Sequence, residues 1–155
     1  MMRKPHQILV FPYKIVDKDT ILYGIFSRAD GKEVWQGVAG GVEGNETYIE
    51  ACRREANEEA GISLDANVIE LDSISTMPVV NVVKDFMWGE DVLLIYEHCF
   101  GIDATNEEIK ISLEHKEMKW VSYDEACNKL KWDSNRNALW ELNIKLTRMI
   151  DKENN

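Results

Sequence analysis

The sequence predicts an α/β protein of the α+β kind, a mixed β-sheet sandwiched between helices. Two patterns carry this. Short runs rich in β-branched and aromatic residues are bounded by Asp, Gly, Asn and Pro, and between and after them lie stretches whose apolar residues recur at helical spacing. The length of 155 residues suits one domain spanning 1–155 and suffices to bury a substantial core.

Residues 7–16 and 20–27 are two apolar, β-rich runs joined by Asp17-Lys18-Asp19, the pattern of a hairpin. Residues 35–39 form a short strand that leads into a loop built from Gly40, Gly41 and Gly44. A helix follows, with Asn45 placed to cap its start and Gly61 placed for a left-handed cap at its end. Ile49, Cys52, Ala56 and Ala60 make its apolar stripe, about a quarter-turn from an acidic face. Residues 67–76 and 91–100 are strands, and 77–90 is a long, less regular connection suited to shaping specificity. Residues 117–121 make another strand and 123–130 a short helix. A longer helix over 135–150 carries Leu139, Leu142, Leu146 and Ile150 in its stripe. Residues 151–155 are polar and are expected to fray.

A net charge of −10 disfavours binding to a nucleic-acid polymer, whose phosphates repel such a surface. Three cysteines, Cys52, Cys99 and Cys127, form no Cys-x-x-Cys pair and leave an odd thiol under any pairing, as expected of buried thiols in a reducing cytosol. The apolar run 8–11 is too short for a signal-peptide core, and no stretch approaches a membrane span. A soluble, cytoplasmic protein is therefore expected.

The chemistry concentrates in Gly-x5-Glu-x7-Arg-Glu-Ala-x-Glu-Glu-x-Gly-Ile, from Gly40 to Ile62. On a helix, Glu55, Glu58 and Glu59 project together within one turn, and their repulsion calls for a cation. Oxygen-only ligands point to a hard divalent ion such as Mg²⁺, which keeps water positions open and shares itself with substrate phosphates. A solvated acidic face is the ordinary meaning of a short charge run. The loop glycines and the arginine set this segment apart from one.

The segment resembles the Nudix box, the signature of hydrolases acting on nucleoside diphosphates linked to another moiety. It matches at Gly40, Glu46, Arg54, Glu55, Glu58, Glu59 and Gly61, with Ala56 and Ile62 at the two aliphatic positions. Ala56 is smaller than the family's common Leu or Val, and Asn45 stands where a Gly often precedes the first box Glu. Outside the box, Trp35-Gln36-Gly37-Val38-Ala39-Gly40-Gly41, Glu114-His115-x3-Lys119-Trp120 and Ser134-Asn135-Arg136 are similar to the dihydroneopterin triphosphate and dATP pyrophosphohydrolase branch.

The resemblance implies a Nudix fold and a pyrophosphohydrolase that uses Mg²⁺, with Mn²⁺ as an alternative, to direct water at a phosphorus of a nucleoside or pterin triphosphate. Glu58 and Glu59 are implied as metal ligands, Glu55 and Glu114 as ligands or general base, and the Ala39 carbonyl as a backbone ligand. Arg54 is implied to orient a box carboxylate and tie loop to helix. Glu46 has a similar orienting role, with Gly40 and Gly61 structural. Arg28 is a candidate phosphate contact or a surface residue; Trp35 either stacks on the substrate ring or belongs to the core. Phe86 and Trp88, beside Gly89, are candidates for a ring clamp. His115 is expected on the surface, and Trp120, Trp132 and Trp140 in packing. Two other readings remain open: a nucleotide-sugar pyrophosphatase of the ADP-ribose type, for which Pro78 is the hint, and a sensing domain that binds nucleotide without turnover. Family members exist as monomers and dimers, so a homodimer is an allowed state.

Overall fold

The computed structural model describes residues 2–30 and 33–154. Strand β1 (Arg3–Asp17) is the axis of the sheet, and β2 (Thr20–Arg28) returns antiparallel to it through the expected hairpin, with Tyr13 opposite Tyr23. Asp17 closes the turn by accepting a hydrogen bond from the Asp19 backbone N–H at 2.9 Å. Next come β3 (Trp35–Gln36), β4 (Val38–Glu43) and helix α1 (Tyr48–Ala60). Strands β5 (Val68–Pro78), β6 (Leu94–Asp103) and β7 (His115–Val121) are followed by α2 (Tyr123–Lys129) and α3 (Asp133–Glu153). The sheet runs β3-β2-β1-β6-β5, with β4 also on β1 and β7 also on β2. It is mixed because β1 pairs parallel with β6, while its other pairings are antiparallel.

Residues Gln7–Tyr13 are buried without interruption, which marks a strand covered on both faces. The two-residue period sorts them. Leu9, Phe11 and Tyr13 pack with Leu139, Leu142 and Leu146 of α3, whereas Ile8 and Val10 pack with Ala51, Cys52, Ala56 and Ala60 of α1. The sheet is thereby sandwiched between helices, as the patterning predicts. Glu141 of α3 accepts hydrogen bonds from the backbone N–H groups of Asp72 and Ser73 at 2.6 and 2.8 Å, fastening the helix to β5.

Several local expectations differ from the structure. The expected strand over 35–39 is two strands. The first pairs with β2, and the second continues through Gly40 and Gly41 because these pair with Ile8 and Gln7 of β1. Only Gly44, at φ 53°, serves as a turn. The cap of α1 is Thr47, not Asn45: its hydroxyl accepts from Glu50 N–H while the Glu50 carboxylate accepts from Thr47 N–H, a complete capping box. Gly61 does end the helix at φ 70°. Ile49 is exposed, and Ala51 takes its place in the buried stripe. The connection 77–90 begins with the end of β5 and a 3-10 helix at Val79–Asn81, and β6 starts at Leu94, just after Leu93 O accepts from Val79 N–H at 2.8 Å. Helix α3 continues to Glu153 where fraying was expected, with Asn154 as its cap. Asn155 lies outside the described residues. Cys52 and Cys99 are buried, Cys127 is half-buried, and all three are free thiols.

Candidate active site

Helix α1 presents Glu55, Glu58 and Glu59 together, each offering one oxygen within 4.8 Å of the others. Glu55 and Glu59 are buried and Glu58 is exposed. Glu55 lies directly on the β4 backbone: a Cβ added to Gly40 would sit 2.1 Å from its carboxyl carbon. Only glycine leaves room there, which connects the first residue of the motif physically to its first helix carboxylate.

Arg54 holds the turn against the helix. Its Nε and Nη2 donate to the two oxygens of Glu46 at 2.9 and 2.8 Å, and Nη2 also donates to Gly41 O at 2.8 Å. Its Nη1 donates to Glu55 at 2.9 Å. Glu46 completes the turn by accepting from Glu43 N–H at 2.9 Å. The hydrogen bonds from Arg54 hold the Glu46 carboxyl below the usual carboxylate range, and the same pairing raises the guanidinium. Glu55 shifts the other way. Burial pushes its carboxyl up to about 7; Arg54 opposes this, and the Glu58 and Glu59 charges add to it.

Glu59 is held from the far side by the Ser112 hydroxyl and lies 3.4 Å from His115 Nε2. His115 is not the surface residue that was expected. Its side chain is only 6% exposed and its ring meets Phe26 at 5.1 Å. Its Nδ1 is buried without a hydrogen-bond partner among the described residues. Glu114 sits in the exposed turn before β7, outside the cluster of three carboxylates.

A cleft of about 830 Å³ lies next to β4, and none of Glu55, Glu58 and Glu59 is among its lining residues. Ala39 and Gly40 form part of its wall, so Gly40 separates the carboxylates from the cleft by the thickness of one strand. Arg28 lines it, paired with Asp30 at 2.9 Å. A smaller lobe of about 400 Å³ shares Arg28, Gln36 and Ala39 and reaches Glu114 and His115.

Trp35 is not part of the cleft wall. It packs, partly buried, against the α3-side core with the Lys119 ammonium 5.3 Å from its ring centre. The aromatic plate of the cleft is Trp132, which was assigned to packing but is 48% exposed. Trp140 is likewise exposed. Trp88 is pinned by its Nε1 donating to Arg3 O at 2.7 Å, Phe86 is exposed, and neither lines the cleft. Sequence reasoning missed Arg3, Gln7 and Glu97, which line the cleft floor. The available signal was a polar or charged residue inside each of two apolar strand runs.

The NUDIX domain family model matches residues 15–141. The chain belongs to the Nudix family. As a Nudix hydrolase it acts on phosphorus-containing anhydrides. Among curated relatives, it is 27% identical over 127 residues to a dihydroneopterin triphosphate diphosphatase of Haemophilus influenzae, covering 81% of this chain and 80% of the relative. It is 26% identical over 132 residues to an asymmetrical bis(5'-nucleosyl)-tetraphosphatase of Rattus norvegicus, covering 81% of each. A Listeria monocytogenes chain solved as a Nudix hydrolase superposes with a TM-score of 0.84 at 36% identity, over 95% of this chain and 97% of that one.

The Nudix family generally uses divalent metal ions, and the donor set here fits one. Three carboxylates converge on one helix turn, two of them buried, with Arg54 paired to Glu55 and Glu58 and with His115 Nε2 3.4 Å from Glu59. No described helix is long and apolar enough to cross a membrane.

Proposed function

We propose that this Nudix hydrolase cleaves a diphosphate linkage of a nucleoside or pterin triphosphate, releasing a monophosphate and the remaining phosphate fragment. The observation that supports the reading is the contact at Gly40, which sets Glu55, one of the three clustered carboxylates, behind the wall of a cleft large enough for a nucleotide-sized ligand. Glu55, Glu58 and Glu59 would hold Mg²⁺ or Mn²⁺, with Glu114 and the Ala39 carbonyl as further ligands. A divalent ion bound there supplies charge neutralisation at phosphate oxygens and lowers the pKa of bound water.

The chain's own groups have distinct tasks. Arg54 fixes Glu55 and the Gly41 strand backbone in one geometry, so that carboxylate does not have to be ordered when substrate arrives. Glu55, fixed by Arg54 within the carboxylate cluster, would take the proton from the attacking water. Glu114, on the rim of the smaller lobe, is the competing base. Arg28 is positioned in both lobes to bind phosphate once it leaves Asp30.

The relative named as a bis(5'-nucleosyl)-tetraphosphatase supports a second reading, in which the substrate is a dinucleoside polyphosphate. Release of phosphate or pyrophosphate is to be measured with dihydroneopterin triphosphate, dNTPs, dinucleoside polyphosphates and ADP-ribose, with Mg²⁺ and with EDTA. Metal-dependent turnover of the triphosphates supports the first reading, and preference for the dinucleoside compounds the second. The absence of turnover on every member refutes both and favours a sensing domain. We further read residues 1–155 as one cytoplasmic catalytic domain.

A further inference from the structure

Glu97 is 4% exposed yet lines the cleft floor, remote from the metal-binding helix in sequence and on a different element. Both neighbouring strands supply it with a donor. Gln7 stands beside it in the β1–β6 register and Ser75 beside it in the β5–β6 register. Gln7 Nε2 donates to one carboxylate oxygen at 2.5 Å, and Ser75 Oγ donates to the other at 3.3 Å. The Gln7 amide is oriented by Arg3, whose Nη2 donates to Gln7 Oε1 at 3.1 Å, leaving the amide nitrogen for Glu97. A carboxylate has about four acceptor positions, so two donors leave about half of them unused. Burying a carboxylate with unused acceptors is costly unless ordered water or a ligand completes it. Arg3 lines the same cleft, and its Nε is buried without a hydrogen-bond partner among the described residues. The floor thus offers strong acceptors next to an unsatisfied cationic donor. Trp132, on the cleft wall, offers an exposed ring, oriented by Nε1 donating to Gln36 at 3.2 Å.

We propose that Glu97 and Arg3 read the donor-donor-acceptor edge of a 2-amino-4-oxopyrimidine ring, the edge that guanine and pterins share, with the ring stacked on Trp132. The proposal deepens the triphosphate hydrolase reading and rests on it for the identity of the cleft. Such a ring presents an amino group and a ring N–H to the carboxylate and its carbonyl oxygen to the guanidinium. Adenine presents an amino donor beside a ring nitrogen that accepts, so a carboxylate meets a lone pair where it needs a proton. That mismatch is a repulsive element against adenine as well as the loss of a contact. Burial pushes the Glu97 carboxyl up while Gln7 and Ser75 oppose this, consistent with a group whose ionised form needs the ligand's donors.

The test is equilibrium binding of GMP, IMP, AMP and 7,8-dihydroneopterin to the full chain, which requires no turnover. GMP is expected to bind about tenfold to a hundredfold more tightly than AMP, and IMP, lacking the amino group, to fall between. Dihydroneopterin binding as well as GMP identifies the edge, and not the purine, as what is read. Glu97→Gln is expected to collapse the GMP:IMP ratio towards one and to favour AMP, because a carboxamide both donates and accepts as adenine requires. If that variant fails to fold, the wild-type series decides alone. Equal binding of GMP, IMP and AMP overturns the proposal, as does an unchanged ratio in folded Glu97→Gln. Failure of metal-dependent hydrolysis would overturn the hydrolase reading separately, since the binding series does not depend on it.

Discussion

Glu55→Gln separates the chemistry of this carboxylate from its electrostatic cost. In the metal-free protein burial raises the Glu55 carboxyl from its ordinary value of about 4.5 to about 7. A raised folded value means that the native state keeps a proton which the unfolded chain releases. The stability it contributes is therefore complete below about pH 4.5 and lost as pH rises through about 7. One pKa unit corresponds to about 1.4 kcal/mol, and discounting the shift for solvent screening leaves a loss of about 1–2 kcal/mol. Glutamine does not titrate, and its amide oxygen can still accept from Arg54. In EDTA at about pH 8 the variant should therefore melt about 2–8 °C above the wild type, and at about pH 4.5 the two should coincide. Added Mg²⁺ should reverse the order, stabilising the wild type far more than the variant, while turnover falls about a hundredfold or more. The assay is thermal unfolding followed by circular dichroism at both pH values, with and without metal. A variant that melts below the wild type at about pH 8 in EDTA, or by the same margin above it at both pH values, would refute the reasoning.

Gly40→Ala should lower kcat by at least about tenfold with the far-UV spectrum unchanged, because the new Cβ would stand 2.1 Å from the Glu55 carboxyl carbon and displace it. Normal activity would show that catalysis does not need Glu55 where it now lies. Arg54→Lys should raise the Mg²⁺ concentration needed for half-maximal activity, because an ammonium cannot bridge Glu46, Gly41 and Glu55 at once; an unchanged metal titration would contradict this. Thr47→Ala removes the capping box and should cost about 1 kcal/mol, or about 2–4 °C in Tm, with activity near that of the wild type. A loss of activity without a loss of stability would assign Thr47 a different role.

The sheet and its two helical covers were legible because periodicity reports burial directly. The stripe of Leu139, Leu142, Leu146 and Ile150 is buried as written, and the uninterrupted apolar run in β1 reads as a strand covered on both faces. Boundaries were less legible where pairing overrides local preference. Gly40 and Gly41 look like loop residues, yet β1 recruits them as strand because their missing side chains admit Glu55 on one face and Arg3 on the other. Asn45 and Thr47 are both good caps, and only the reciprocal partner at Glu50 decides for Thr47.

The candidate site divides along the same line. Glu55, Glu58 and Glu59 lie on one helix turn, so local spacing brings them together before any tertiary contact is known. The cleft is assembled differently: Arg3, Gln7, Arg28, Ser75, Glu97 and Trp132 meet only because β5, β6 and β1 lie side by side and α3 begins at the rim. No spacing rule links position 7 to position 97, and the parallel register that makes them neighbours follows from the whole sheet. Trp35 and Trp132 illustrate the consequence. Both are tryptophans at the start of an element, but one is turned into the α3-side core and the other faces the cleft. The proposed metal chemistry would thus be encoded locally, and the proposed ring recognition by topology. Substitutions at Ser75, Glu97 and Trp132 are accordingly expected to retune substrate choice with the carboxylate cluster's geometry kept, whereas Arg3 and Gln7 meet Gly41, which Arg54 ties to Glu55.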